Sequence, residues 1–272
     1  MAKKKIGIYG VLESTANHKV DDLYLIVDEQ SIAFSVKNIV SNEFVSFEYF
    51  VNDPENQGWN QLIAYLQNNS KLIQSIYHQI HFVINSPRFV LTKNNTDNHT
   101  LLYKNELHLL HGEKVDEEIF TTQITEGQVL AFGVPDALNT LLVRSFPTGK
   151  WHHYAEYVLQ NANQDGIGVY MFDLNYCFII KDQGILKLLN YFKVGGDDQN
   201  TYTLLNTCSN AGVTPHTLPL FIAGFELAQL NWIDTLKQYF ASTTILMAPV
   251  GGIGDTLNKE YPHHTYSTYF IF

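Results

Sequence analysis

Cysteine is almost missing from this sequence. Cys177 and Cys208 are the only two in 272 residues. They fall in segments that read as a strand and a helix, which suits reduced core thiols and excludes a disulfide-stapled scaffold. Positive charge is also scarce: 17 Lys plus Arg stand against 27 Asp plus Glu, a formal net charge of -10. A phosphate backbone would meet net repulsion, and no basic stripe offsets it, so nucleic acid is excluded as a partner. The densest basic run, Lys3, Lys4 and Lys5, reads as a solvated tail. Long apolar runs are absent too. No stretch approaches the roughly 20 residues that cross a bilayer, and the "IGIYGVL" before Glu13 is shorter than a secretory core and has no small-residue cleavage site. A cytoplasmic protein without membrane insertion is the expectation.

What is present is apolar and patterned. Hydrophobic residues make up 45% and aromatics 13% of the chain, enough for a substantial core, and the length allows two lobes. Residues 23–36, "LYLIVDEQSIAFSV", run apolar strand, Asp28, polar turn, apolar strand, and "VYMFDLNYCFII" at 169–180 repeats the phrase around Asp173. In the first half, Ile32, Phe34 and Val36 alternate on a second strand and "FVSFEYFV" gives a third. The period then changes: Trp59, Leu62, Ile63 and Leu66 fall on one helical face, and Ser70 is placed to cap a further helical run through Tyr77. "HFVINS" closes the unit as a strand stopped by Pro87.

The second half repeats this order. "IGVYMF", "YCFII" and "ILKLLNYF" read as strands; a helix capped by Asp197 or Asp198 follows, with Leu204, Leu205, Cys208 and Ala211 inward and Gly212 ending it; "LPLFIAG" closes the unit. The fold class is α/β, with a β-β-β-α-β unit occurring twice. Three meandering strands and a right-handed helical crossover give each unit a mixed sheet. Between them, "HTLLYKNELHLLHG", "EEIFTTQIT", "QVLAFGV" and "DALNTLLVRSF" predict a small inserted α/β module, with 92–98 as a flexible entrance. After the second closing strand, "NWIDTLKQYF" reads as a helix and "TTILM" as a last strand. The predicted organisation is a tail over 1–21, a first lobe over 22–99, the module over 100–147, a second lobe over 148–248 and a tail over 249–272.

Two such units, each with Asp at its first hairpin turn, resemble the actin, sugar-kinase and heat-shock-chaperone superfamily of two-lobed ATPases, whose lobes are ribonuclease H-like. More closely, "KLLNYFKVGGDDQNTYTLLN" with "LFIAG" and "LKQYF" resembles an uncharacterised bacterial family, a domain of unknown function, with an actin-like ATPase fold. The likeness runs from residue 22 to about 248. The inserted module is similar in outline to that of cytoplasmic actin-like scaffolds of type IV pilus and type II secretion machinery.

The resemblance implies nucleotide-binding positions. In the superfamily each turn Asp is followed two residues later by a glycine that brings backbone amides against a phosphate, and the Asp positions Mg²⁺ or the attacking water. Here those glycine positions are Gln30 and Asn175, and the glycine pair against which adenosine packs is Ala223 and Gly224, followed by Phe225, which is sized to fill a nucleobase's space. The implied expectation is a catalytically inert actin-like scaffold or interaction module with a protein partner, no cofactor and no catalytic residue. The alternative is an ATP-binding switch or a weak ATPase or kinase, in which Asp28, Gln30, Ser31, Asp173, Asn175 and Gly224 surround ATP with Mg²⁺.

Other chemistry reads weakly. His108 and His111 have i, i+3 spacing rather than the i, i+4 of zinc helices and are expected at the surface. His78 and His81 straddle an element boundary, and the tandem pairs His152-His153 and His263-His264 point apart, so no metal site is predicted. "FPTGK" has Arg144 where a P-loop needs its first glycine, and "PVGGIGD" at 249–255 lacks the last glycine of a dinucleotide fingerprint and reads as a flexible loop.

Overall fold

The computed structural model describes residues 2–10, 18–52, 59–94, 99–162, 164–224, 230–249, 251–261 and 265–272. Contacts divide the chain into two compact units, Met1–Glu156 and Tyr157–Phe272. Phe225 and the pair His263-His264 lie outside the described residues.

In the first unit, β1 (Lys3–Tyr9), β2 (His18–Val27), β3 (Ser31–Asn38), β4 (Phe44–Val51), β5 (Tyr77–Ile84) and β9 (Lys150–His153) form one sheet. Its order is β1-β4-β3-β2-β5-β9. β2 pairs with β5, and β5 with β9, in parallel, while the remaining pairs are antiparallel. The run Ile32, Ala33, Phe34 on β3 is buried residue after residue, as a strand covered on both faces requires. α1 (Trp59–Asn69) buries Leu62, Ile63 and Leu66, the helical face expected from their spacing, and Tyr65 meets Phe50 of β4 edge-on at 6.2 Å.

A second, three-stranded sheet in this unit has the order β6-β8-β7, from β6 (Phe89–Lys93), β7 (Glu117–Thr125) and β8 (Gln128–Pro135). α2 (His99–His111) lays Tyr103 and Leu107 on Val129 and Ala131, and α3 (Asp136–Ser145) buries Leu138 and Leu142. Gly112 ends α2 at φ +80, a conformation that glycine adopts without strain.

α4 (Tyr154–Asn161) carries the chain into the second unit. There β10 (Gly166–Met171), β11 (Asn175–Asp182), β12 (Ile185–Lys193), β13 (Pro219–Ala223) and β14 (Ser242–Ile245) form a sheet of order β12-β11-β10-β13-β14. Counting strands within each unit from β2 and from β10, both sheets read third, second, first, fourth, fifth, with the first three antiparallel and the last two parallel. α5 (Asp197–Asn210) and α6 (Leu230–Leu236) bring Leu204, Cys208, Trp232 and Leu236 against Ile167, Val169, Phe178 and Ile222. Gly212 follows α5 at φ +70. α7 (Gly254–Glu260) and a 3₁₀ turn (Ser267–Phe270) follow, so of the described residues in the loop expected over 249–255 only Gly254 and Asp255 are helical.

The structure departs from the sequence reading at several elements. Residues 70–76 form bends and turns that lead into β5 at Tyr77 rather than a helix through Tyr77, although Ser70 Oγ accepts the amides of Leu72 and Ile73, at 3.1 and 3.2 Å, as a helix cap does, and donates to Glu48. Thr92 and Lys93 belong to β6 rather than to a flexible entrance. β9 and α4 have no counterpart in the reading.

The N-terminal run is a strand, not a solvated tail, and the cause is Glu48. This carboxylate on β4 is fully buried. It accepts hydrogen bonds from Lys4 Nζ, Tyr9 Oη, Ser70 Oγ and the Lys71 amide, the last at 3.1 Å. Lys4 Nζ also lies 5.3 Å from the centre of the Phe50 ring. Burial, reinforced by the hydrogen bond to Glu48, raises the Tyr9 phenol well above its ordinary pKa. A buried charge needs both a counter-charge and filled lone pairs, and Lys4 and Tyr9 supply them from β1. β1 is thereby fixed on the outer edge of β4. The equivalent edge of the second unit, β12, pairs only with β11 among the described residues. Lys187 and Lys193 are exposed on it, and the Tyr191 amide is taken by the neighbouring Asn190 Oδ1 at 2.8 Å. Lys4→Ala strands the Glu48 carboxylate and is expected to cost on the order of 3–5 kcal/mol in urea unfolding, whereas Lys3→Ala and Lys5→Ala, both at exposed positions, should leave the midpoint unchanged.

Candidate functional site

Two hairpin turns carry the predicted site residues, one in each unit. In the first, β2 ends at Val27 beside Ile84 at the end of β5. The Asp28 amide donates to Ser31 O at 3.0 Å, the Glu29 amide to Asp28 Oδ1 at 2.7 Å, and the Asn52 amide to Gln30 O at 2.7 Å. The turn therefore caps itself. Gln30 does not adopt a positive φ, so the turn forms without the glycine that the superfamily uses there. Asp28 and Ser31 are buried.

Asp28, together with Glu29, Trp59, Asn85 and Arg88, lines a cavity of about 600 Å³ at the carboxyl ends of β2 and β5, whereas Gln30 and Ser31 do not reach it. Open α/β sheets commonly bind ligands at such strand ends. Arg88 is committed to structure: Nε and Nη2 grip both oxygens of buried Glu117, and Nη1 donates to the carbonyls of His111 and Gly112, at 3.2 and 2.9 Å. It ties the end of α2 to β7. Gly133 makes room for this pair, since a Cβ there would lie 2.3 Å from Glu117 Oε2. His111 is exposed, as the sequence reading expects, while His108 is half-buried, and both rings contact this place. His111 Nε2 donates to Phe89 O at 2.9 Å, and His108 Nε2 is 3.7 Å from Glu117 Oε1.

The second turn is shifted by one residue relative to the sequence pairing of Asp28 with Asp173. Val27 pairs with Ile32, and Met171 with Tyr176. Asp28 N bonds Ser31 O, and Phe172 N bonds Asn175 O. Phe172 thus holds the place of Asp28, Asp173 that of Glu29, and Asn175 that of Ser31. Phe172 is buried and meets Tyr269 of the C-terminal 3₁₀ turn edge-on, at 5.6 Å and 87°. Asp173 is exposed and Asn175 buried, and Asn175 also lacks a positive φ. Gly224, at the end of β13, has φ +76 and donates its amide to Ser267 Oγ at 3.0 Å. A Cβ on it would lie 2.2 Å from Met171 O and 2.6 Å from Thr268 Cγ2. Ser267, Thr268 and Tyr269 were not singled out from sequence. The signal available was the strand register, in which Val27 and Met171 both close an inward-facing apolar row.

A family model described as "Protein of unknown function (DUF3822)" matches residues 13–243. The chain belongs to this family. No curated protein matches it. Among solved structures, this DUF3822 member is similar to a protein with actin-like ATPase fold and unknown function from Bacteroides thetaiotaomicron VPI-5482, with 15% identity over 90% of this chain and 97% of that one and a TM-score of 0.74. Weaker likenesses are the cytoplasmic domain of EpsL, of the Vibrio cholerae type II secretion system (12% identity, 74% and 80% covered, TM-score 0.45), and the ethanolamine utilization protein EutJ of Carboxydothermus hydrogenoformans (8%, 92% and 89%, TM-score 0.45). With the repeated strand order, the likeness to the Bacteroides protein places the DUF3822 chain in the actin-like ATPase fold. Among its described residues no helix is long and apolar enough to cross a membrane.

His78, His81 and His152 make polar contacts apart from this cavity. His78 on β5 turns to Asp22, at 2.9 Å, and His81 turns to His152 Nε2, at 3.2 Å. His152 Nδ1 in turn lies 3.1 Å from Glu156 Oε2. The tandem partner His153 faces away, donating Nε2–H to Ser86 O at 2.9 Å and accepting the Ala155 amide on Nδ1 at 3.1 Å. Tyr24 stacks on His81 with ring centres 4.7 Å apart. Burial, with His152 and Lys150 nearby outweighing Asp22 and Glu156, pushes His81 down to about 4, and burial pushes His153 down to about 3. Both rings accept protons more readily unfolded than folded, so their contribution to stability is complete above pH 6.5 and is lost as pH falls from 6.5 through about 4. Urea unfolding at pH 7.5 and 4.5 should show a smaller drop in stability for His81→Phe, which keeps the stack on Tyr24 without titrating, than for the parent chain. Equal drops would remove His81 as a cause.

Proposed function

We propose that this chain is an actin-like protein without ATP turnover that serves as a scaffold or interaction module for a protein partner. The carrying observation is the closure of the second unit's turn by the chain's own residues: Phe172 stands where the first unit has Asp28, Tyr269 packs on it, and Ser267 takes the Gly224 amide. An ATP–Mg²⁺ group does not fit that turn. A phenyl ring offers Mg²⁺ no ligand, and Thr268 occupies the approach to Gly224, the position that the superfamily resemblance assigns to adenosine. At the first turn the Glu29 amide is spent on Asp28's own carboxylate.

Support for the interaction role comes from α2 and the loop after it. Leu101, Leu109, Leu110 and Val115 are 68%, 86%, 63% and 83% exposed, and helical spacing puts Leu101 and Leu109 on the side of α2 away from Tyr103 and Leu107. Four apolar side chains presented this way favour covering by another protein.

A second reading, an ATP-binding switch or weak ATPase or kinase, is favoured by Asp28 at the wall of the 600 Å³ cavity. Calorimetry with ATP and Mg²⁺ separates the two. The scaffold reading expects no saturable binding at millimolar nucleotide and no phosphate release over many hours; micromolar, Mg²⁺-dependent binding abolished by Asp28→Ala would replace it with the switch. The interaction role is checked by a photo-crosslinking residue at position 109, which is expected to trap a defined protein in cells. A position 187 probe on exposed Lys187 of β12 should trap none, and identical crosslinks at both positions would count against α2.

A further inference from the structure

The second unit contains a cavity that neither turn uses. It lies on the face of the sheet away from α5 and α6, is about 320 Å³ in volume, and is floored by Gly166, Gly168 and Tyr170 of β10. These three alternate on one side of the strand, whereas Ile167, Val169 and Met171 point to the helices. A Cβ on Gly166 would lie 2.7 Å from Phe221 Cε2 and one on Gly168 2.7 Å from Ile179 Cγ2, so the two glycines let these neighbouring side chains settle close to the strand. The walls come from Phe221, from Leu246 and Met247 after β14, and from Phe270 and Ile271 of the C-terminal segment.

Among the described residues, Lys181 of β11 is the one charged residue in the lining, beside neutral polar groups such as Gln164 and Ser267, and no described Asp or Glu is in it although the whole chain carries a formal charge of -10. Its Nζ is held at the wall by one hydrogen bond, to Ala162 O at 2.8 Å, which leaves two N–H donors. Among the described residues no carboxylate forms an ion pair with it. Asn161, also in the lining, is engaged elsewhere, its Nδ2 donating to Tyr157 O and Ile271 O at 2.8 and 2.7 Å. An apolar chamber with one positioned cation matches an apolar body that ends in a single anionic group. We propose that this cavity binds a small apolar monocarboxylate, with its carboxylate on Lys181 Nζ and its hydrocarbon among Phe221, Leu246, Met247 and Phe270. Ser267 borders both this cavity and the sealed turn, but the proposed anion contact is separate from the ATP question, since Lys181 pairs with Gly166 at the end of β10 away from that turn.

Lys181 has a second role to separate from this one, because its bond to Ala162 O also satisfies a carbonyl at the end of α4. Lys181→Gln keeps a donor for that carbonyl but removes the charge, and Lys187→Gln, on the exposed edge of β12, controls for general loss of positive charge. The probes are octanoate, octanol and octylammonium, titrated into the full chain by calorimetry and followed by thermal shift. Octanoate is expected to bind one per chain, at least about tenfold more tightly than octanol, and octylammonium not at all. Lys181→Gln should erase the preference for octanoate over octanol while Lys187→Gln keeps it. If Lys181→Gln lowers the unfolding temperature yet retains the octanoate preference, Lys181 is only a helix cap and the proposal fails. It fails equally if octanoate does not saturate, or if octanol or octylammonium binds as tightly. Should Lys181→Gln not fold, Met247→Trp, which narrows the mouth from an exposed position, must weaken octanoate at least about tenfold, and unchanged binding in that variant is also fatal.

Discussion

Register on the first strand of each unit is the constraint on which the remaining structure depends. β2 and β10 are each hydrogen-bonded on both sides, antiparallel to the next strand and parallel to the fourth. β10 is buried on both faces and β2 buries Leu23, Leu25 and Val27 on one face against half-exposed Asp22 and Tyr24 on the other, so a slip of one residue would exchange the two faces along the whole strand. That rigidity decides which residue stands at the mouth of each turn. It places an aspartate there in one unit and a phenylalanine in the other, although the sequence around both turns looks alike.

The repeated sheet was legible because its signals are local. Period-two alternation in 32–36, the helical spacing of Trp59 to Leu66, and the glycines after α2 and α5 each follow from neighbours in the chain. What was not legible depends on distant partners. β1 is a strand only because Glu48, some forty residues on, needs Lys4 and Tyr9. β9 is four residues long and exists as an addition to β5. At 70–76 the cap bonds expected of Ser70 do form, but the chain turns into β5 after them, and Tyr77 pairs with β2 instead of ending a helix.

The site shows the same division. Asp28 was found from its place after an apolar strand, and it does line a cavity. Asp173 was paired with it by resemblance of phrase, and pairing by composition cannot see a single-residue offset that only the ladder fixes. The residues that close the second turn come from the C-terminal segment, about a hundred positions away, whose sequence has no periodic signal. Gly224 was singled out as a nucleoside contact, yet its amide and the space beside it are taken by Ser267 and Thr268.

The two units protect the same exposed edge by different means, and this makes them unequal in what they tolerate. The second unit guards β12 with lysines and a self-satisfied amide that are built into the strand. The first borrows a strand from the very start of the chain. Trimming the opening ten residues, or pulling them aside with a bulky fusion, would uncover the backbone of β4 along "FVSFEYFV", an aromatic-rich ribbon with a row of unmet amides and carbonyls. The leading lysines therefore act as the first unit's safeguard against self-association.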